Sequence, residues 1–387
     1  MTSSVIFVNR KNTDCAKWDG LKDRFSSDNL QAMWVADMDF KSPECVISAI
    51  KEYVQSGVFG YYLPPESYLN AFLDWEKDVH NFILEKEWIR YSIGVVPAIN
   101  WLIQFLTKPN DSIIVQTPVY YPFLDAVNRN NRKLICSDLV VQNGIYSIDF
   151  EKFEHDIIDN NVRLFILCSP HNPVGRVWKY DELKQLLDIC QKHHVYVISD
   201  EIHQDIVHQN HKHLPSASIG NYNDFLITLT SASKTFNIAA YQNAFVIIPN
   251  DNIRKQYDEF LNAMRLRCGT SIGYIATEAA YRHGRPWLNN LLDTVYGNYT
   301  YAKDTLEKAL PNIVITPLEG TYLMWIDFSA YLKADEVIDF MEKKCGLAFD
   351  FGEWFGGSRF GTYIRMNLAT SREMVESAVN KILTNIT

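Results

Sequence analysis

No apolar run in this 387-residue chain approaches membrane-spanning length, and Met1 to Val8 lack a basic start leading into an apolar stretch, so neither an anchor nor a secretory signal is expected. Long basic runs are missing too. Lys plus Arg number 37 against 46 Asp plus Glu, a formal charge of −9, which argues against a nucleic-acid-binding surface. The seven cysteines, at 15, 45, 136, 168, 190, 268 and 345, form none of the close pairs of a zinc ribbon or redox motif. Several sit in apolar runs, as reduced core thiols do, and a cytoplasmic protein is expected. Walker A, GxSxG, HExxH and GxGxxG patterns are all missing, so P-loop, α/β-hydrolase, zincin and nicotinamide-dinucleotide chemistries have no support.

What is present is an alternation. Between about 90 and 250, short apolar runs at 113–117, 133–137, 163–168, 195–199, 225–230 and 244–248 read as strands. Helical patterns cover 98–107, 120–130, 150–159 and 180–192 between them. Near-continuous apolar strands with helical crossovers predict an α/β fold whose mostly parallel central sheet is covered on both faces. Ligands of such folds collect beyond the carboxyl ends of the strands. Before this region, Pro43 starts a helix over 44–56, and Tyr68, Leu69, Phe72, Trp75, Val79 and Phe82 predict an amphipathic helix over 66–86. Residues 251–310 read as helices interrupted near Gly269, Gly273 and Gly284. Strands at 313–316, 321–327 and near 361–366, with helices at 333–344 and 371–384, predict a smaller α+β domain. The arm Trp34-Val35-Ala36-Asp37-Met38-Asp39-Phe40 is too apolar to stay in water and must pack on the body or a partner.

Polar residues gather at the strand ends. The run Phe225 to Thr230 leads into Ser231-Ala232-Ser233-Lys234-Thr235-Phe236-Asn237. A lysine held neutral by burial or a cationic neighbour is a nucleophile toward aldehydes, while Ser231 and Ser233 offer hydroxyls to an anion. The rival is a surface-turn lysine with snorkelling carbons. Asn172, in Asn172-Pro173-Val174-Gly175, follows a second strand, and Asp200 and His203, in Asp200-Glu201-Ile202-His203, follow a third. Separately, Asn172 and Asp200 read equally well as turn and helix caps, and His203 as a satisfied buried histidine. His203 with His208, or His211 with His213, lacks a third ligand at a recognisable spacing, so no metal site is expected. Gly94-Val95-Val96-Pro97 enters a helix whose free amides suit a phosphate. Arg365, inside the apolar strand Tyr363-Ile364-Arg365-Met366-Asn367, needs a carboxylate, either a protein acid or a substrate.

Together, these segments resemble fold-type I pyridoxal-phosphate enzymes of the class I/II aminotransferase group, along essentially the whole chain. Lys17-Trp18-Asp19, Met33 to Phe40, Gly94 to Pro97 and the histidine of Asp-Glu-Ile-His resemble its cystathionine β-lyase-like carbon–sulfur lyase subfamily. The resemblance implies pyridoxal 5'-phosphate linked to Lys234, with Asp200 at the pyridine nitrogen, Asn172 and His203 near the phenolic oxygen, and Tyr120 stacked on the ring. Val95, Val96, Ser231 and Ser233 would hold the phosphate, joined by Tyr61 from the partner subunit of a homodimer. Arg365 would clamp the substrate carboxylate under the Val35-Ala36 backbone. Lys234, Tyr120 and Asp200 would be catalytic, and the implied reaction is β-elimination from a sulfur amino acid, cystathionine giving homocysteine, pyruvate and ammonia. An aminotransferase, or a regulatory protein on the same fold, are the alternatives. The implied division is 1–50 as arm and part of the small domain, 51–285 as the cofactor domain and 286–387 as the small α+β domain. Ala240 stands where the family often has glycine, and Glu353, Trp354 and Arg359 between Gly352 and Gly361 suggest an unusual substrate mouth.

Overall fold

A computed structural model describes residues 5–266 and 268–386. Its centre is a seven-stranded sheet. In chain order the strands are β1 (Ile89–Ser92), β2 (Ser112–Thr117), β3 (Lys133–Asp138), β4 (Val162–Cys168), β5 (Tyr196–Asp200), β6 (Leu226–Thr230) and β7 (Ala244–Ile247). The spatial order is β1-β7-β6-β5-β4-β2-β3, and only β7 runs antiparallel to its neighbours. The side-chain period of two divides each strand between two cores. Leu164 and Ile166 of β4 pack with Ile99, Leu102 and Ile103 of the helix Val95–Leu106, whereas Phe165 and Leu167 pack with Phe153, Leu186 and Leu187 on the opposite face. Side-chain caps start several helices: Asp149 accepts from the Lys152 amide and Asn250 from the amides of Asn252 and Ile253.

The helices at Phe150–Asp159 and Tyr180–Lys192 agree with the expected spans. The expected helix over 66–86 ends at His80, because Asn81 turns into the left-handed region at φ 53°. Phe82 is still buried, but from the loop beyond. Gly273 interrupts nothing; it lies within the helix Ser271–His283. The helix expected over 333–344 contracts to Val337–Asp339 followed by a π turn at Phe340–Lys344.

A second, antiparallel sheet is built from β8 (Val314–Ile315), β9 (Leu323–Asp327), β10 (Asp350–Phe351) and β11 (Tyr363–Asn367), in the order β8-β9-β11-β10. The N-terminal arm joins this region: Gln31–Ala32 pairs in parallel with Leu347–Ala348. A buried ion pair fixes the arm, with Lys17 Nζ 2.7 Å from Asp39 Oδ2 and the Trp18 indole donating to Asp39 Oδ1 at 2.9 Å.

Candidate active site

Because β1, β2, β4, β5 and β6 run the same way, their carboxyl ends share one edge of the sheet. There β2 delivers Tyr120, β4 delivers Asn172, β5 ends on Asp200, β6 leads to Lys234, and β1 leads through Gly94 into the Val95 helix. The register sets Cys168 beside Asp200, and Asp200 beside Leu229. These ends surround a cavity of about 200 Å³ lined by Lys234, Asp200, Asn172, His203 and Tyr120 on the sheet side. Val95, Val96, Ser231, Ser233 and Ala36 also line it.

Lys234 lies on the single-turn helix Ala232–Thr235, capped by the Ser231 hydroxyl, which accepts from the Ser233 amide at 3.0 Å. Its Nζ donates to the Ala36 carbonyl at 2.5 Å. Burial pushes the ammonium pKa down to about 8, with Arg365 acting in the same direction against the acids around it. Burial pushes the Asp200 carboxyl up to about 7, although the Ile202 amide donates to its Oδ1 at 3.0 Å. His203 is held well below its ordinary value by burial and by the cations Lys234 and Arg365, so its ring is neutral. Its Nδ1 has no hydrogen-bond partner among the described residues.

Arg365 reaches the same place from the second sheet. Its Nη1 donates to Asn172 Oδ1 at 3.0 Å and its Nη2 to the Trp34 carbonyl at 3.4 Å. The arm is pinned over it: Asn367 Nδ2 donates to the Val35 and Asp37 carbonyls at 2.6 and 2.7 Å. Tyr61 stands apart, fully exposed on the loop between the helices Glu44–Gln55 and Glu66–His80. Within its own chain it is not brought to the cavity.

Three neighbours of the site escaped the sequence reading. Tyr322 donates to the Ala36 carbonyl at 2.8 Å and packs edge-on to His203. Asp205 accepts from the Thr235 hydroxyl at 2.7 Å. Asp350 pairs with Arg365. Asp205 stands five residues beyond Asp200 in the same strand-end segment, which was its available signal; Tyr322, in the bend before β9, and Asp350, on the two-residue β10, had none. Of the unusual residues near the mouth, Trp354 lies under the Arg24 guanidinium at 5.2 Å, and Arg359 bonds Asp138 at 2.6 Å.

A nucleophilic lysine, a buried acid needing a cation, and a helix N-terminus flanked by two serines suit a cationic aromatic aldehyde bearing a phosphate. His203, whose Nδ1 has no hydrogen-bond partner among the described residues, lines the same cavity. The model of the aminotransferase class I and II family matches residues 33–382. The chain belongs to that family. Within this aminotransferase class I and II family it is 37% identical over 375 residues to cystathionine beta-lyase PatB of Bacillus subtilis (strain 168), covering 96% of this chain and 97% of the relative. Its fold superposes on cystalysin from Treponema denticola, a structure that contains pyridoxal 5'-phosphate, with a TM-score of 0.94 at 36% identity over 100% of this chain and 98% of that one. The pyridoxal-phosphate-bound C–S lyase from Staphylococcus hominis gives 0.93 at 33% identity, over 99% and 97% of the two chains.

Proposed function

We propose that this protein is a pyridoxal 5'-phosphate-dependent carbon–sulfur β-lyase that converts L-cystathionine to homocysteine, pyruvate and ammonia. The observation that carries the reading is the convergence of Lys234, Asp200 and Asn172 on one buried cavity beside Arg365. Kinship with cystathionine beta-lyase PatB and with the C–S lyase structure from Staphylococcus hominis favours elimination over amino transfer.

The residues present fit the cofactor. Lys234 Nζ would hold its aldehyde carbon covalently, Asp200 its ring nitrogen, Asn172 and His203 its phenolic oxygen, and Tyr120 its ring face. The first-turn amides at Val95 and Val96, with the hydroxyls of Ser231 and Ser233, would hold the phosphate. Tyr61 of the partner subunit would add a phosphate contact across a homodimer. The exposed apolar residues Val58, Phe59 and Leu63 beside it support such an interface. The cofactor-carrying domain is then 51–285, and 1–50 with 286–387 form the smaller domain that brings Arg365.

Bound there, the cofactor supplies a sink for the electron pair left on the substrate Cα. Arg365 binds the α-carboxylate, and the Val35-Ala36 arm excludes water above it. Lys234, whose ammonium burial holds below its ordinary range, takes the Cα proton as general base. The Asp200 carboxylate would hold a proton on the cofactor's ring nitrogen. When the Cβ–S bond breaks, its electron pair leaves on sulfur, and the Lys234 ammonium or the Tyr120 phenol returns a proton to the thiolate. The remaining three-carbon fragment hydrolyses to pyruvate and ammonia.

Among the described residues no helix is long and apolar enough to cross a membrane, and the seven cysteines are unpaired. The free thiols favour the cytoplasm. The reading is tested by supplying the holoenzyme with L-cystathionine alone, and separately with L-aspartate plus 2-oxoglutarate. Equal amounts of thiol and pyruvate from cystathionine are expected. Conversion of aspartate that depends on 2-oxoglutarate, with cystathionine inert, would overturn the reading.

A further inference from the structure

Asp350 and Arg365 stand directly opposite each other across β10 and β11. Opposed residues of an antiparallel pair point to the same face, so the strand register itself places an acid on the arginine assigned to the substrate carboxylate. Both side chains are buried, and Arg365 Nη2 donates to Asp350 Oδ2. The pair is incomplete. Among the described residues, Arg365 Nε and Asp350 Oδ1 are buried without a hydrogen-bond partner. The guanidinium fork is therefore not engaged in the two-point geometry that a carboxylate can offer it.

Among the described residues, the charged or titratable groups that act electrostatically on Asp350 or feel its charge include Arg365 from the opposite strand, Arg24 from the turn after Leu21–Asp23, Lys234 from the lysine helix, and Tyr120 and Tyr121 from the start of the helix Tyr121–Arg129. Arg24 is exposed and rests on the ring faces of Tyr121 at 5.3 Å and Trp354 at 5.2 Å. Arg365 alone among these groups is hydrogen-bonded to Asp350.

We propose that Asp350 is a proton-coupled placeholder for the substrate carboxylate. In the free enzyme it occupies Arg365 as an anion; when substrate binds, it takes one proton from water and donates that proton in a hydrogen bond to the incoming carboxylate. This rests on the reading of Arg365 as the substrate clamp. Two carboxylates sharing one buried guanidinium do not both stay ionised. Burial raises the Asp350 pKa, while Arg365, Arg24 and Lys234 hold it down. A second anion on Arg365 cancels the leading restraint, so the bound-state pKa lies above the free-state pKa. Affinity is flat below the free value, falls roughly tenfold per pH unit between the two values, and is flat again above.

The test uses propionate, a bare carboxylate, with the holoenzyme in weakly buffered solution containing a pH indicator. The cofactor's absorption band reads any proton gained at the lysine linkage, and the remainder belongs to Asp350. Uptake approaching one proton per bound propionate is expected from the wild-type protein inside that pH window, beyond what the band accounts for. Asp350→Asn should bind propionate roughly tenfold more tightly one pH unit above the free-state value, with no extra uptake and a flat pH dependence. Wild-type binding without extra uptake overturns the proposal and needs no variant. So does weaker binding by a folded Asp350→Asn, which would make Asp350 a support for Arg365. Loss of the pH dependence in Arg24→Gln would also overturn it, by assigning the compensation to Arg24. Unchanged propionate affinity in Arg365→Leu would instead overturn the clamp itself.

Discussion

Thr235 donates to Asp205 at 2.7 Å, and this bond ties the lysine helix to a set of charges buried beneath it. Asp205 also accepts from the Trp75 indole at 2.9 Å and pairs with His80 at 2.8 Å. Burial alone would lower the His80 pKa, but the bond to Asp205 and the surrounding acids raise it. His80 and His213 stack edge to face, and His213 pairs with Glu201, the residue after Asp200. The Lys234 turn and the Asp200 strand end thus rest on one polar network.

Thr235→Val removes only the hydroxyl from that network and leaves an Asp205 oxygen short of a donor. A loss of about 1–3 kcal/mol in unfolding free energy is expected by urea denaturation. An unchanged midpoint and slope would show that the bond carries no load.

The arm over the site depends on the Lys17–Asp39 pair, in which both side chains are fully buried. Lys17→Met leaves Asp39 relying on Arg10, 3.6 Å away and partly exposed, for its counter-charge, and should cost about 3 kcal/mol. Calorimetry checks this, and a change within about 0.5 kcal/mol would contradict it.

Glu76, buried against Gln204, has its pKa pushed from 4.5 to about 7, first by burial and then by the nearby acids. Between those values the folded state binds more protons than the unfolded chain, so this group makes stability fall as pH rises through the window. Glu76→Gln removes that slope. Its unfolding free energy relative to wild type should be higher at pH 8 than at pH 5; the opposite order would contradict the assignment.

Lys234→Ala should abolish the cofactor's lysine-linked absorption band and lower turnover by roughly 10²–10⁴-fold or more. Persistence of the band in the purified variant would refute the role given to Lys234.

The inner strands of the central sheet were legible because both of their faces are buried and their sequences are nearly continuously apolar, and the edge strand β3 because it keeps the run Leu134-Ile135-Cys136. β1 was not: it is an edge strand carrying Arg90, which bonds Asp258 outside the sheet. Lys234, Asp200 and Asn172 were readable because the parallel direction of their strands places their ends together. Asp350 was hidden for the opposite reason. β10 is two residues long, and what makes its acid matter is a cross-strand register with Arg365 that no local pattern encodes.

The most direct measurement is the amount of pyruvate formed per holoenzyme subunit from L-cystathionine with no keto acid present. Continuous accumulation to many equivalents is predicted, because elimination returns the site to its starting state after each turnover. Formation of no pyruvate, with consumption stopping at about one cystathionine per subunit until a keto acid is added, is the stoichiometry of amino transfer and would contradict the account.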